Sequence, residues 1–170
     1  MGGVHGWSPD GKYLVYTGTL PGSASIYRIR PDGSGELRMT TAKGSDDGPE
    51  YSGDGKWIYF CSTRSGKWDA WRMPATGAGP GDRLAEQVTH DAATQDWFPH
   101  VSPDGKWLYT LSYPLNHPDH NFIGDGIQIK LLRLENGMAA KRASLTTVRT
   151  FFGGQGSGNT NGWSSDSKKF

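Results

Sequence analysis

One short phrase returns four times along this chain. It reads Trp7-Ser8-Pro9-Asp10-Gly11-Lys12-Tyr13, then Tyr51-Ser52-Gly53-Asp54-Gly55-Lys56-Trp57, then Val101-Ser102-Pro103-Asp104-Gly105-Lys106-Trp107, and last Trp163-Ser164-Ser165-Asp166-Ser167-Lys168-Lys169. The four aspartates fall 44, 50 and 62 residues apart. A unit of about 45 residues, with insertions in later copies, has the length of one four-stranded propeller blade. The phrase itself reads as a tight turn. Proline presets φ at the first turn position, the aspartate bonds nearby backbone, and glycine accepts positive φ. Asp10, Asp54, Asp104 and Asp166 look catalytic by repetition, yet the turn accounts for them.

A strand follows each turn: Tyr13 to Thr17, Trp57 to Ser62 and Trp107 to Ser112. These runs are apolar on both faces, so their sheets are expected to be covered on both sides, as stacked blades are. Third strands follow at 25–29, 68–73 and 127–132. Outer strands come at 36–41, 85–89 and 143–147, ending alike in Met39-Thr40-Thr41, Val88-Thr89-His90 and Leu145-Thr146-Thr147. Twenty-five glycines and ten prolines argue against long helices. The expected fold is all-β: a β-propeller of three complete blades, at about 4–41, 46–90 and 96–147, with the start of a fourth at about 151–170. The pattern predicts that the chain stops inside that blade's second strand.

The turn phrase, the aromatic strand after it, the Tyr/Trp-Arg strand and the closing Leu-Thr-Thr together resemble the TolB-type β-propeller repeat. Residues 47–52 through Trp71-Arg72-Met73, and Phe151-Phe152-Gly153-Gly154-Gln155-Gly156, are similar to uncharacterised TolB-like proteins. The resemblance covers nearly the whole chain. That repeat occurs in periplasmic TolB, in oligogalacturonate lyases and in the propellers of prolyl oligopeptidase relatives, so it is specific for fold and open as to function. It implies a periplasmic or extracellular setting. Related chains would continue past Phe170. Three and a half blades leave two faces without neighbours, so either the sequence is part of a longer chain, or copies assemble as a homo-oligomer that completes the ring.

Inner strands of a propeller line its channel, and the loops entering them form one rim. Reading back from each turn gives the rim candidates: His5; Asp46, Asp47 and Glu50; Asp96 and His100; Asn159 and Asn161. Carboxylates and imidazoles converging from successive blades can hold a divalent cation, Ca²⁺ or, with His added, Mn²⁺. The plainer alternative is a wet, solvated channel mouth. His5 and His100 stand one position out of step relative to their turns, which predicts side chains on opposite strand faces. Trp97, with Phe98, could anchor a partner or pack between blades. Oligogalacturonate lyases imply a metal held by several His and a Gln. Here His5, His100 and Gln155 are partial matches, with His90, His117 and His120 elsewhere. The loop 114–121 carries two of those histidines.

Other chemistries find less. The net charge of +1, with Lys and Arg dispersed, gives no footprint for nucleic acid. The single Cys61 sits in an apolar run and reads as a small buried hydrophobe. No Gly-x-Ser-x-Gly elbow occurs, and the glycine run 153–158 lacks the Lys of a phosphate loop. Met1-Gly2-Gly3-Val4 has neither the charged start nor the apolar stretch of a secretion signal. No segment has the ~20 apolar residues that insertion as a membrane helix needs. The expectation is a non-enzymatic binding module for a protein or polysaccharide. The alternatives are a metal-dependent polysaccharide lyase or hydrolase, or the propeller lid of a larger peptidase-like enzyme.

Overall fold

The computed structural model describes residues 3–117 and 120–170; Met1 and Gly2 of the N-terminal stretch, and Pro118 and Asp119 of the histidine loop, lie outside the described residues. Each repeat makes one antiparallel sheet. The first carries β1 (Val4–Trp7), β2 (Leu14–Leu20), β3 (Ser23–Ile29) and β4 (Leu37–Arg38) in chain order. The second carries β5 (Asp46–Tyr51), β6 (Trp57–Ser62), β7 (Asp69–Pro74) and β8 (Glu86–Gln87), again in order. The third begins β9 (Thr94–Val101), β10 (Trp107–Pro114), β11 (Gly124–Glu135). Its outer edge is shared by the short β12 (Met138–Ala139) and by β13 (Thr146–Gly153), both paired with β11.

The third blade departs from the expected pattern at that edge. An outer strand at 143–147 becomes one that starts at Thr146 and runs on to Gly153. Phe151, expected to open a fourth blade, instead pairs with Ile127, and Gly153 with Gly124. The cause is the length of β11: its twelve residues expose more edge than a two-residue strand can pair. Beyond Gly153 the described chain forms a short 3₁₀ turn at Gln155–Ser157 and the fourth copy of the turn phrase, without a further strand.

The turns are nearly superposable in their bonding. Ser8 Oγ donates to Asp10 Oδ1 at 2.7 Å, and the Lys12 N–H donates to the same oxygen at 3.1 Å. The Tyr13 N–H donates back to Ser8 Oγ at 2.9 Å. The second, third and fourth copies repeat this set with Ser52/Asp54, Ser102/Asp104 and Ser164/Asp166. The serine thus closes the loop that the aspartate opens. Where the second copy has Gly53 instead of proline, the reason is contact. A Cβ there would come within 2.6 Å of the Pro103 carbonyl of the next blade's turn.

Alternate residues of each central strand face opposite neighbours, because strand side chains alternate. Ile58 and Phe60 of β6 pack with Val15, Ile26 and Met39 of the first blade. Tyr59 packs with Val101, Leu108, Leu132 and Leu134 of the third, and Cys61 with Phe98 and Leu111. The middle sheet is therefore buried on both sides, as its apolar runs require. Cys61 is fully buried, and burial raises its thiol pKa well above the usual range.

Candidate functional site

The inner strands β1, β5 and β9 and the segment 155–161 border two adjoining cavities of about 280 and 520 Å³, which share His5, Asn159 and Thr160. Each inner strand carries a bulge. Register slips between Val4 and Gly6 in β1, between Asp47 and Glu50 in β5, and between Trp97 and His100 in β9. At the last two bulges the backbone turns to positive φ, +60° at Gly48 and +48° at Phe98. A bulge adds a residue and re-aims the side chains that follow it. This is why His5 and His100, expected on opposite faces, both line the smaller cavity.

The charged groups of this collar are matched in pairs. His100 Nδ1 lies 2.6 Å from Glu50 Oε2, and its Nε2 lies 3.1 Å from the Gly158 carbonyl. Both ring nitrogens of His100 are thus engaged by oxygen atoms. Asn161 Nδ2 donates to the other oxygen of Glu50. Trp163 Nε1 donates to the His100 carbonyl at 3.1 Å, so the last segment is sewn onto the third blade. In the larger cavity His5 Nε2 approaches Asp47 Oδ1 at 3.5 Å. Burial pushes the Asp47 carboxyl up. The approach of His5 and the hydrogen bonds from Thr17 Oγ1 and the Gly48 N–H outweigh that and hold it below the usual carboxylate range.

Three of the rim candidates go elsewhere. Asp46 is buried under Arg64, whose Nη2 reaches its two oxygens at 2.9 and 3.0 Å and Asp82 at 3.3 Å. Asp96 is fully buried, accepting from Ser112 at 2.8 Å and Thr94 at 3.1 Å, and burial raises its pKa. Trp97 is only 2% exposed, its ring 3.9 Å from those of both Trp68 and His120. It packs inside the molecule and is not an exposed anchor. All three lie before the bulges of β5 and β9, as Asp47 does, and their partners Arg64, Ser112 and Trp68 hold them away from the collar.

Among the described residues no set of three His, Cys, Asp or Glu side chains is gathered closely enough to hold a metal ion. His117 packs against Tyr113, and His120 against Trp97 and Phe98, away from the His5–Asp47 pair. The larger cavity instead gathers uncharged polar groups that sequence reading did not single out as a set. Gln155, Asn159, Thr160 and Thr19 line it with side chains that make no hydrogen bond among the described residues. Trp68 forms part of the same wall. Nothing local marks Thr19 or Trp68: each simply flanks the turn between the second and third strands of its blade.

A family model described as the TolB beta propeller domain matches residues 1–120. An uncharacterised protein of Agrobacterium fabrum is 39% identical over 166 residues, 98% of this chain and 52% of its own length. A solved structure assigned as TolB from Agrobacterium tumefaciens superposes with a TM-score of 0.86 at 36% identity, covering 100% of this chain and 57% of that one. TolB from Acinetobacter baumannii gives a TM-score of 0.64 at 23% identity over 85% of this chain and 32% of its own, a likeness of fold. The chain thus spans little more than half the length of the two Agrobacterium relatives.

Proposed function

Because the chain belongs to the TolB β-propeller domain family, we propose that it is a non-enzymatic binding module whose channel collar receives an extended polar segment of a protein partner. The observation that carries this reading is the division of labour in the collar. Its charges are spent on one another, while Gln155, Asn159, Thr160 and Thr19 keep amides and hydroxyls free toward a cavity of about 520 Å³. Free amides pair with main-chain N–H and C=O groups without asking for charge, which is what an extended peptide offers. Trp68 in the wall favours a second reading, a polysaccharide whose sugar faces stack on the indole.

One experiment separates the two. A displayed library of unstructured peptides and a panel of neutral cell-wall oligosaccharides would be tested against the purified chain, and any ligand titrated calorimetrically. The expected result is peptide binding that weakens about tenfold in Asn159→Ala, the loss of one well-placed hydrogen bond. Oligosaccharide binding without peptide binding favours the second reading. Ligands indifferent to both Asn159→Ala and Gln155→Ala remove the collar from either. The compartment proposed with this role is the periplasm, as the family resemblance implies; a reporter fused to the full-length protein tests it.

A further inference from the structure

The second and third blades carry an aspartate at the same place and satisfy it differently. Asp46 of β5 pairs with Ser62 across its sheet, and Asp96 of β9 pairs with Ser112. Each stands six residues before the serine of its turn, and the two are 4% and 0% exposed. In the second blade the counter-charge is Arg64, two residues past Ser62. Its Nη2 bonds both oxygens of Asp46, and its guanidinium lies 5.2 Å from the Phe60 ring and 5.1 Å from that of Trp71. Phe60 pairs with Trp71 as Thr110 pairs with Lys130. The register thus puts Pro114, Thr110 and Lys130 in the third blade at the places of Arg64, Phe60 and Trp71. The arginine has no counterpart.

Asp96 is left with one oxygen served. Oδ1 accepts from Ser112 at 2.8 Å and from Thr94 at 3.1 Å, while the buried Oδ2 meets no hydrogen-bond partner among the described residues. The charged groups around it are paired with one another. Lys130 of β11 bonds Asp91 and Thr94 Oγ1. Lys67, which faces Asp96 from the second blade, bonds Asp69, and Asp69 also accepts from Ser65 and Gln87. Thr89 faces Asp96 from the same blade, its Oγ1 accepting the Ala70 N–H at 2.9 Å. Thr110 stands behind Ser112 at 2.9 Å. A buried carboxylate without a counter-ion is strongly disfavoured, and the neutral acid is not. Burial accordingly raises the Asp96 pKa, against the bonds from Ser112, Thr89 and Thr94 and the charge of Lys67.

We propose that Asp96 is a proton-operated latch between the second and third blades, closed on the neutral acid and opened locally when the carboxyl ionises and draws in water. The Asp96 N–H donates to the Trp68 carbonyl at 2.8 Å, a backbone bond that crosses from the third blade to the second. The Trp68 ring lies 3.9 Å from that of Trp97, the next residue along β9. Trp68 is also part of the wall of the larger collar cavity, so water admitted at Asp96 loosens that wall. The second blade has no such latch, because Arg64 supplies the counter-charge to Asp46. The closed form keeps its proton above 3.8, where the open form loses it. Closure is therefore fully favoured below 3.8 and weakens as pH rises through the folded value.

Hydrogen exchange at the amide of position 96, corrected for its intrinsic rate, reads the latch directly. Above pH 3.8 its protection should fall by up to about tenfold per pH unit, then level off once the folded carboxyl has ionised. Asp96→Asn is neutral throughout, and its protection at the same amide should stay level. The Ile26 amide of the first blade, held by Thr40 Oγ1 at 2.9 Å, should show no such difference between the two proteins. The wild-type carboxyl is followed in parallel by its ¹³C shift, which depends on no variant folding, and should titrate above 3.8. A midpoint at or below 3.8 overturns the proposal. So does protection at position 96 that falls alike in the wild type and Asp96→Asn, or a difference that the Ile26 amide shares, since the effect would then be global.

Discussion

At the scale of single residues, two kinds of position carry the argument: turn glycines and paired carboxylates. Gly105 has φ +70°, and nothing lies within 4 Å of where a Cβ would sit, so Gly105→Ala tests backbone conformation with no steric clash. The cost of placing an L side chain in that region is about 1–2 kcal/mol, to be read as a lowered urea midpoint. Asp47 predicts the acid limb. Its carboxyl titrates lower in the folded chain than its unfolded value of 3.8. The stabilisation is then complete above 3.8 and drains away as pH falls through the folded value. Urea titrations of the wild type and Asp47→Asn should differ most near neutrality and converge in acid; a gap that widens in acid contradicts the assignment.

Turn chemistry and strand content were readable at this scale because both are local. Ser8, Asp10 and Gly11 close their turn through bonds that span five residues at most. The rim assignments were only partly readable. His5, Asp47, Glu50, His100, Asn159 and Asn161 do line the collar cavities. Asp46, Asp96 and Trp97 do not, since a one-residue bulge decides which face a side chain takes and no residue type announces it.

At the scale of elements, the junction between second and third blades is held by side chains that reach across sheets. Tyr59 Oη donates to the Gly137 carbonyl at 2.6 Å, beside the Arg72 bond to Asn136. Both acceptors sit in the hairpin joining β11 and β12, where Asn136 and Gly137 adopt φ +52° and +76°. An Asn-Gly pair is suited to that two-residue turn. Arg72 also donates Nε to Glu86 Oε2 at 2.8 Å, so it ties its own sheet and the next. Replacing it with lysine keeps the charge but loses the planar stack and the fork of donors. Arg72→Lys should cost about 1–3 kcal/mol in urea unfolding, because the buried Arg72 gives up its part-buried bond to the Asn136 carbonyl together with its stack on Trp57. Tyr59→Phe should cost about 1 kcal/mol.

The same tyrosine gives an alkaline test. Burial pushes its hydroxyl up to about 12 from the usual 10. A raised phenol means that the folded state holds the proton. Its contribution is whole below 10 and is lost as pH rises toward 12. Phenolate absorbance against pH should show a late-titrating tyrosine that disappears in Tyr59→Phe.

At the scale of the whole molecule, the second blade is the one covered on both sides. Ile58 and Phe60 serve the core shared with the first blade, while Tyr59 and Cys61 serve the cores shared with the third. Each blade leans on its neighbours, so stability should fall toward the ends of the stack. Amide hydrogen exchange should be slowest in β6 and faster in β2, whose last residues, Thr19 and Leu20, are exposed. Uniform protection across the three central strands would contradict that gradient.

The sequence by itself determined the blade: its period, its turn and its two-faced central strand follow from residues close together in the chain. Tertiary structure decided the rest. It gave β13 to the edge of the overlong β11, turned the inner-strand side chains at their bulges, and brought Gln155 and Asn159 beside His5. It also revealed Arg28 and Arg72 reaching carbonyls of the next blade, bonds between residues 47 and 64 positions apart. Local pattern cannot carry such choices, because each depends on where a neighbouring sheet places its backbone.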